Sequence, residues 1–208
     1  MFALDQHRVL RRYRHGGDTA AEAAVMRHVV GHGFPAPQVY DAYGPDLVLQ
    51  RLHGPTLLHA LFAGEVTVAS AATMLGDLHR MLHAVPPLRA VGPDDRILHL
   101  DLHPDNVMVT TDGPVLIDWR NAAEGAPDLD VALTAVILAE AAVGSHLPAE
   151  LAPMAQELLT EFVRHAGGHP VGQLDAALAR RRANPTLTVD EVARIGRAAA
   201  RVRDAAAG

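Results

Sequence analysis

The string His99-Leu100-Asp101-Leu102-His103-Pro104-Asp105-Asn106, followed by Ile117-Asp118-Trp119, gathers the side chains of this sequence best suited to chemistry. Asp118 and Asn106 offer a carboxylate and an amide oxygen. Those are the ligand types that magnesium takes together with substrate phosphates and water. Asp101 offers a further carboxylate, able to orient a hydroxyl and receive its proton. Together they suit phosphoryl transfer, a reaction that needs little covalent help from a protein and much positioning and charge neutralisation.

These residues need a rigid frame. A short strand, Ile97–Leu100, leads into the loop, and a hairpin of Val107–Thr110 and Val115–Ile117 turns at Thr111-Asp112-Gly113-Pro114. That hairpin returns Asp118 to face the loop. Upstream, Phe2–Leu4 and Arg8–Arg14 flank a polar turn, and Asp18 or Thr19 can cap a helix that runs to about Gly31 with Glu22 one turn in. Strands Gln38–Ala42 and Leu47–Leu52 follow. Beyond His53-Gly54-Pro55 the pattern turns helical: Thr56–Phe62, Val68–His83 with its stripe Ala71, Leu75, Leu78 and Leu82, then Leu129–Val143, Ala149–His165, Val171–Ala183 and Val189–Ala206. The fold class is therefore α+β, divided at 52/53: residues 1–52 as a small lobe, a sheet plus one helix, and residues 53–208 as a mainly helical lobe carrying the catalytic hairpin.

The motif His99-x-Asp101-x-x-x-x-Asn106 with Ile117-Asp118-Trp119 resembles the aminoglycoside phosphotransferase and choline kinase-like family. The resemblance runs over roughly residues 1 to 145. Gly76–His83 resembles the helix before the catalytic loop, Leu47–Gly54 the strand and hinge between lobes, and Glu22 with Gly33–Pro37 the αC-type helix and its exit. It implies a two-lobed protein-kinase-like fold and ATP with Mg2+ as cofactors. It implies Asp101 as catalytic base, His99 packed beneath the site as part of the catalytic set, and Asn106 and Asp118 as magnesium ligands. It also implies Asp130 bracing the loop, and nucleotide contacts from Glu22 and from the hinge at Gln50, Arg51 and Leu52. The implied activity is transfer of the γ-phosphate to a hydroxyl or amine of a small-molecule acceptor. The alternative is a catalytically impaired pseudokinase that senses nucleotide or binds a partner.

Two features depart from the family pattern. The sequence has no lysine; all 18 of its basic residues are arginine. Arg11 is the best-placed substitute for the phosphate-anchoring lysine, because alternate strand residues share a face and Val9 and Arg11 would point into the cleft together. The competing reading is an arginine on an exposed strand face. An arginine there would be bulkier and would bind bidentately. Arg12 and Arg14 would face away. Secondly, the ten residues before Arg11 leave room for one strand and a turn but not for a full glycine-rich hairpin. The N-terminal lobe is thus expected to be shortened.

Bulk properties exclude other classes. Net charge is −6, which argues against a nucleic-acid partner. With no cysteine, there is neither a disulfide frame nor a thiolate metal site. The longest apolar candidate, Val131–Val143, is too short to span a bilayer, so no membrane partner is expected and the location reads as cytoplasmic. His79 and His83 share a helix face and raise a zinc alternative, but Arg80 stands where a metalloprotease motif needs glutamate. His103 is expected to pack or hydrogen-bond in the loop, Asp105 to be solvated, and Asp128 to cap a helix. The carboxylates Glu150, Glu157, Glu161, Asp175, Asp190 and Glu191 read either as an acidic lining for a cationic acceptor or as ordinary exposed helix residues. Oligomeric state stays open, with a dimer allowed by an exposed sheet edge.

Overall fold

The computed structural model describes residues 1–14, 16–89, 92–144, 151–184 and 188–208, and all their side chains except those of Asp190 and Glu191. Strands β1 (Phe2–Ala3) and β2 (Arg8–Arg12) form the first hairpin. Asp5 fixes its turn by accepting from the backbone N–H groups of His7 and Arg8, both at 2.8 Å. Helix α1 (Ala20–Gly31) follows, then β3 (Val39–Tyr43) and β4 (Asp46–Gln50). The sheet is antiparallel in the order β1-β2-β4-β3.

Strand alternation sorts the arginines. Val9 pairs with Leu49 and Arg11 with Leu47, on the face where both leucines are buried. Arg12 pairs with Asp46 on the opposite face, where the two side chains make an exposed ion pair at 2.6 Å. Helix α1 lays Glu22, Ala23, Met26 and Val29 inward. Its N-cap position is Thr19, whose hydroxyl reaches Gly44 O and Asp46 O instead of the helix, while Asp18 accepts from Ala20 N at 2.9 Å.

The link to the second lobe is tight. Gly54 has φ +134°, and a Cβ there would lie 2.0 Å from Val109 O, so only glycine fits without a shift. Val109 N then donates to Pro55 O at 2.9 Å. Thr56 caps α2 (Leu57–Phe62), and Thr67 caps α3 (Val68–Ala84) through Ser70 N at 3.2 Å. The stripe Ala71, Leu75, Leu78 and Leu82 is buried as its spacing requires. Strand β5 (Arg96–Leu98) enters the loop from His99 to Asn106, and β6 (Val107–Thr110) with β7 (Gly113–Leu116) is the hairpin.

Helix α4 (Pro127–Val143) is buried almost all round and packs against α5 (Ala152–Ala166), α6 (Leu174–Arg182) and α7 (Val189–Ala207). That environment explains its apolar run: it is the axis of the second lobe's core. No helix among the described residues is long and apolar enough to cross a membrane.

One strand was not anticipated, and two expectations need correction. Strand β8 (Ala123–Gly125) pairs antiparallel with β5, although its residues carry no strand signature; pairing with β5 makes it a strand. The expected helix Val171–Ala183 begins only at Leu174, after a 3₁₀ turn over Pro170–Gln173 in which Gly172 N donates to His169 O at 2.9 Å. Asp128 lies inside the first turn of α4, whose N-cap position is Ala126. The expected helix start at Ala149, and Glu150 with it, fall outside the described residues.

Candidate active site

The loop from His99 to Asn106 is set by a single buried carboxylate. Asp130, in the first turn of α4, accepts from His99 N at 3.0 Å and Leu100 N at 2.7 Å, and His83 Nε2 donates to it at 3.2 Å. Burial alone would raise its pKa, but the His83 hydrogen bond, nearby positive charge and the backbone N–H groups outweigh that and hold it at about 2. Leu100 sits at φ +63°, a left-handed conformation unusual for a leucine. The Asp130 clamp pins this turn, and the turn aims Asp101 outward. Further support comes from Thr134, whose hydroxyl donates to Leu102 O at 2.7 Å and lies 3.2 Å from His79 Nε2.

Asp101 is half-buried at the cleft edge. Burial raises its pKa, while the neighbouring charges of His103 and Arg181 pull against that. Asn106 Nδ2 donates to Asp101 O at 2.9 Å, and Asn121 Nδ2 donates to the Asp101 carboxylate at 3.4 Å. With its nitrogen held by the loop, the Asn106 amide keeps its oxygen for another partner. His99 is fully buried, donates from Nε2 to Ile117 O at 3.0 Å and stacks edge-on against Trp119. It ties the loop to the segment carrying Asp118 and does not reach the cleft. Burial lowers its pKa to about 4, so it is a neutral strut.

Asp118 also adopts a left-handed conformation, φ +64° and ψ +68°, at the end of the hairpin. Trp119 anchors this bend: it is buried, donates from Nε1 to Leu116 O at 3.0 Å and meets Phe34 edge-on. The turned backbone presents the half-exposed Asp118 carboxylate to Arg11. Arg11 Nη2 donates to Asp118 Oδ1 at 2.6 Å, and Arg11 Nη1 donates to the buried Glu22 at 2.5 Å. Burial would lower the Arg11 pKa, but the charges of Glu22 and Asp118 raise it, so the guanidinium stays a fixed cation. Tyr13 adds a second donor to Glu22, and the Arg120 guanidinium lies 4.6 Å from the centre of the Tyr13 ring. Two contacts thus join the end of β2 to residues 118–120.

A cleft of about 410 Å³ lies between the lobes. Ala3 and Val9 roof it, Met108 and Ile117 floor it, and Arg11 and Asp118 stand at its charged end. Size and polarity fit a ligand with a flat apolar part and an anionic tail. Gln50, Arg51 and Leu52 line the opposite edge. The Arg51 N–H is already donated to His7 O at 2.7 Å, and the Gln50 N–H to Gln38 O at 2.8 Å.

The structure therefore brings together Asp101, Asn106, Asp118, Arg11 and Glu22, with Gln50, Arg51 and Leu52 along the same cleft and His99 beneath it. Arg12 and Arg14 are exposed, and Asp105 is exposed in the loop. His79 is buried, with Nδ1 donating to Leu75 O, and no group of three metal-binding side chains occurs among the described residues. Sequence reasoning missed Tyr13, Arg120, Asn121 and Arg181. Only the two-residue offset between Arg11 and Tyr13, which puts them on one strand face, hinted at any of these.

A model of the phosphotransferase enzyme family (APH) matches residues 2–97 and 87–167. No curated protein matches the chain. Among solved structures, a choline/ethanolamine kinase family protein from Mesorhizobium loti aligns with TM-score 0.58 at 15% identity, covering 98% of this chain and 88% of its own. An ethanolamine kinase from Plasmodium vivax aligns with TM-score 0.55 at 9% identity, covering 95% and 75%. A thermostable mutant of the aminoglycoside phosphotransferase APH(4)-Ia aligns with TM-score 0.53 at 15% identity, covering 97% and 88%. These likenesses establish the two-lobed kinase-like architecture.

Proposed function

The chain belongs to the phosphotransferase enzyme family, and from that premise we propose that it moves the γ-phosphoryl group of ATP to a hydroxyl of a small molecule. The observation that carries this reading is the convergence of Asn106, Asp118 and Arg11 at one end of the interlobe cleft, with Asp101 hydrogen-bonded to Asn106 beside it. The hydroxyl oxygen bonds to the γ-phosphorus as the bond from that phosphorus to the β,γ-bridging oxygen breaks. ADP leaves with the bridging oxygen, and Asp101 takes the hydroxyl proton. Its raised pKa favours that acceptance.

The donor set suits magnesium: one carboxylate, Asp118, and one amide oxygen, Asn106, leaving the remaining positions to phosphate and water. When bound, the metal supplies charge neutralisation on the phosphates. Arg11 takes the place of the absent lysine. Held by Glu22 through Nη1 and by Asp118 through Nη2, it keeps its positive charge at the phosphate end of the cleft. The hinge contacts fall to Leu52 and to the side chains of Gln50 and Arg51, because the Gln50 and Arg51 N–H groups are already used.

Asp101→Asn tests this assignment. Loss of the base should lower kcat by roughly 10²- to 10⁴-fold while leaving Mg·ATP affinity within about twofold. Turnover near wild type would remove Asp101 from its role.

A further inference from the structure

A second cavity, of about 280 Å³, lies between α1, the Leu88–Arg89 stretch after α3, and residues 119–124. Helical spacing separates it from the interlobe cleft. Glu22 and Met26 line that cleft, whereas Ala21, Ala24 and Val25 turn toward the second cavity. Glu22 lines both. Val25, Leu88 and Trp119 give the second cavity apolar walls, and Arg89 and Arg120 stand beside them.

Two carboxylates also line this cavity, and both are engaged. Glu22 receives Arg11 Nη1 at 2.5 Å and the Tyr13 hydroxyl. Glu124 accepts the backbone N–H of Arg89 at 2.7 Å. The Arg120 guanidinium lies 4.6 Å from the centre of the Tyr13 ring. Among the described residues neither it nor the Arg89 guanidinium makes a hydrogen bond or an ion pair. Arg11 pairs with Glu22, so two guanidiniums face the one carboxylate left, that of Glu124. The balance is one positive charge beside apolar walls. That combination suits a small monoanion with an apolar body, its carboxylate held by guanidinium N–H donors.

We propose that this cavity is an effector site for a small aromatic carboxylate, and that its occupancy strengthens nucleotide binding in the interlobe cleft. The coupling follows from shared walls. One wall, α1, carries Glu22, and the other begins at Trp119, directly after Asp118. Arg11 bridges Glu22 and Asp118, at 2.5 and 2.6 Å. A ligand that touches both walls holds those two carboxylates, and Arg11 between them, at the charged end of the cleft. The coupling rests on the phosphotransferase reading; the site itself does not. Linkage requires Mg·ATP to tighten the carboxylate by the same factor.

Trp119 is the only tryptophan in the sequence and lines this cavity, so its fluorescence reads occupancy directly. The full chain is titrated with benzoate and phenylacetate, and with benzamide and benzylamine as neutral and cationic counterparts. A saturable change is expected with the two carboxylates, roughly tenfold weaker binding with benzamide, and no binding of benzylamine. Arg89→Gln should weaken carboxylate binding roughly 10-fold. Ala24→Phe, which fills the cavity from α1, should abolish it. A urea midpoint near that of the wild type reports that each variant is folded. In calorimetry, saturating benzoate should tighten Mg·ATP binding about fivefold or more, and Ala24→Phe should remove that response. No saturable change with either carboxylate, an equal response to benzamide, or carboxylate binding unaltered in both variants would overturn the site. Mg·ATP affinity unchanged by bound benzoate would overturn the coupling. Absence of Mg·ATP binding by the wild type would remove the phosphotransferase reading and the coupling with it, while the fluorescence titration decides the site on its own.

Discussion

Asp130→Asn isolates the contact that shapes the catalytic loop. The wild-type carboxylate receives two backbone N–H groups, at 3.0 and 2.7 Å, and the His83 donor at 3.2 Å. An asparagine of the same size keeps one acceptor oxygen and turns an NH₂ group toward a donor. At least one buried N–H then loses its partner, and the charge-assisted character of the others is gone. Hydrogen bonds to a charged group contribute about 1.5–3 kcal/mol each, so removing this clamp should cost about 3–5 kcal/mol. Linkage gives an independent lower figure. A carboxyl held at about 2 against an ordinary 3.8 contributes about 2 kcal/mol. Because the folded value is the lower one, that contribution is present above pH 3.8 and lost as pH falls toward 2. Urea denaturation at pH 7 should show the variant's midpoint lowered by about 1.5 M at an unchanged slope. Activity should fall as well, since Leu100 at φ +63° loses the bond that holds it. A midpoint within about 0.3 M of wild type would refute the reasoning, because it would mean that the loop holds its shape without Asp130.

The remaining predictions concern the buried histidine and the interlobe link. His99 is held at about 4 against an ordinary 6.5, so the unfolded chain takes up this proton first as pH falls. The folded value is again the lower, and stability present above pH 6.5 should be lost by about 3 kcal/mol on descending to pH 4. Urea midpoints measured across that range should decline steeply for the wild type and less for His99→Asn; equal slopes would contradict the assignment. Gly54→Ala should destabilise by about 2–4 kcal/mol, because it combines φ +134° with a Cβ 2.0 Å from Val109 O. Gly113→Ala, at φ +115° with open space around it, should cost about 1 kcal/mol, and equal thermal shifts in the two variants would show that the close approach does not matter.

Much of this arrangement was legible because local signals agreed with one another. The alternation Val9, Arg11 against Leu10, Arg12 placed the arginines on opposite faces, and the register with β4 repeats it. The stripe Ala71 to Leu82 marked α3, and Thr111-Asp112-Gly113-Pro114 marked the turn that returns Asp118. What was not legible depends on partners distant in sequence. β8 is a strand only because β5 lies beside it. Tyr13 acquires its place from Glu22 and Arg120, and Arg181 from Glu140, which is 41 residues away. The positive φ angle of Leu100 has no signature in residue type, since leucine normally avoids that region and is held there by Asp130; Asp118 is of a type that tolerates it, but its bend is fixed by Trp119.

The central claim is a metal-assisted nucleotide site between the lobes, and calorimetric titration of ATP with and without magnesium tests it without knowledge of the acceptor. The wild type should bind ATP only when magnesium is present. Asp118→Ala should lose that binding, while Arg12→Ala, altered on the outer sheet face where Arg12 meets Asp46, should retain it. Binding that ignores both magnesium and Asp118, or no binding at all, would contradict the account.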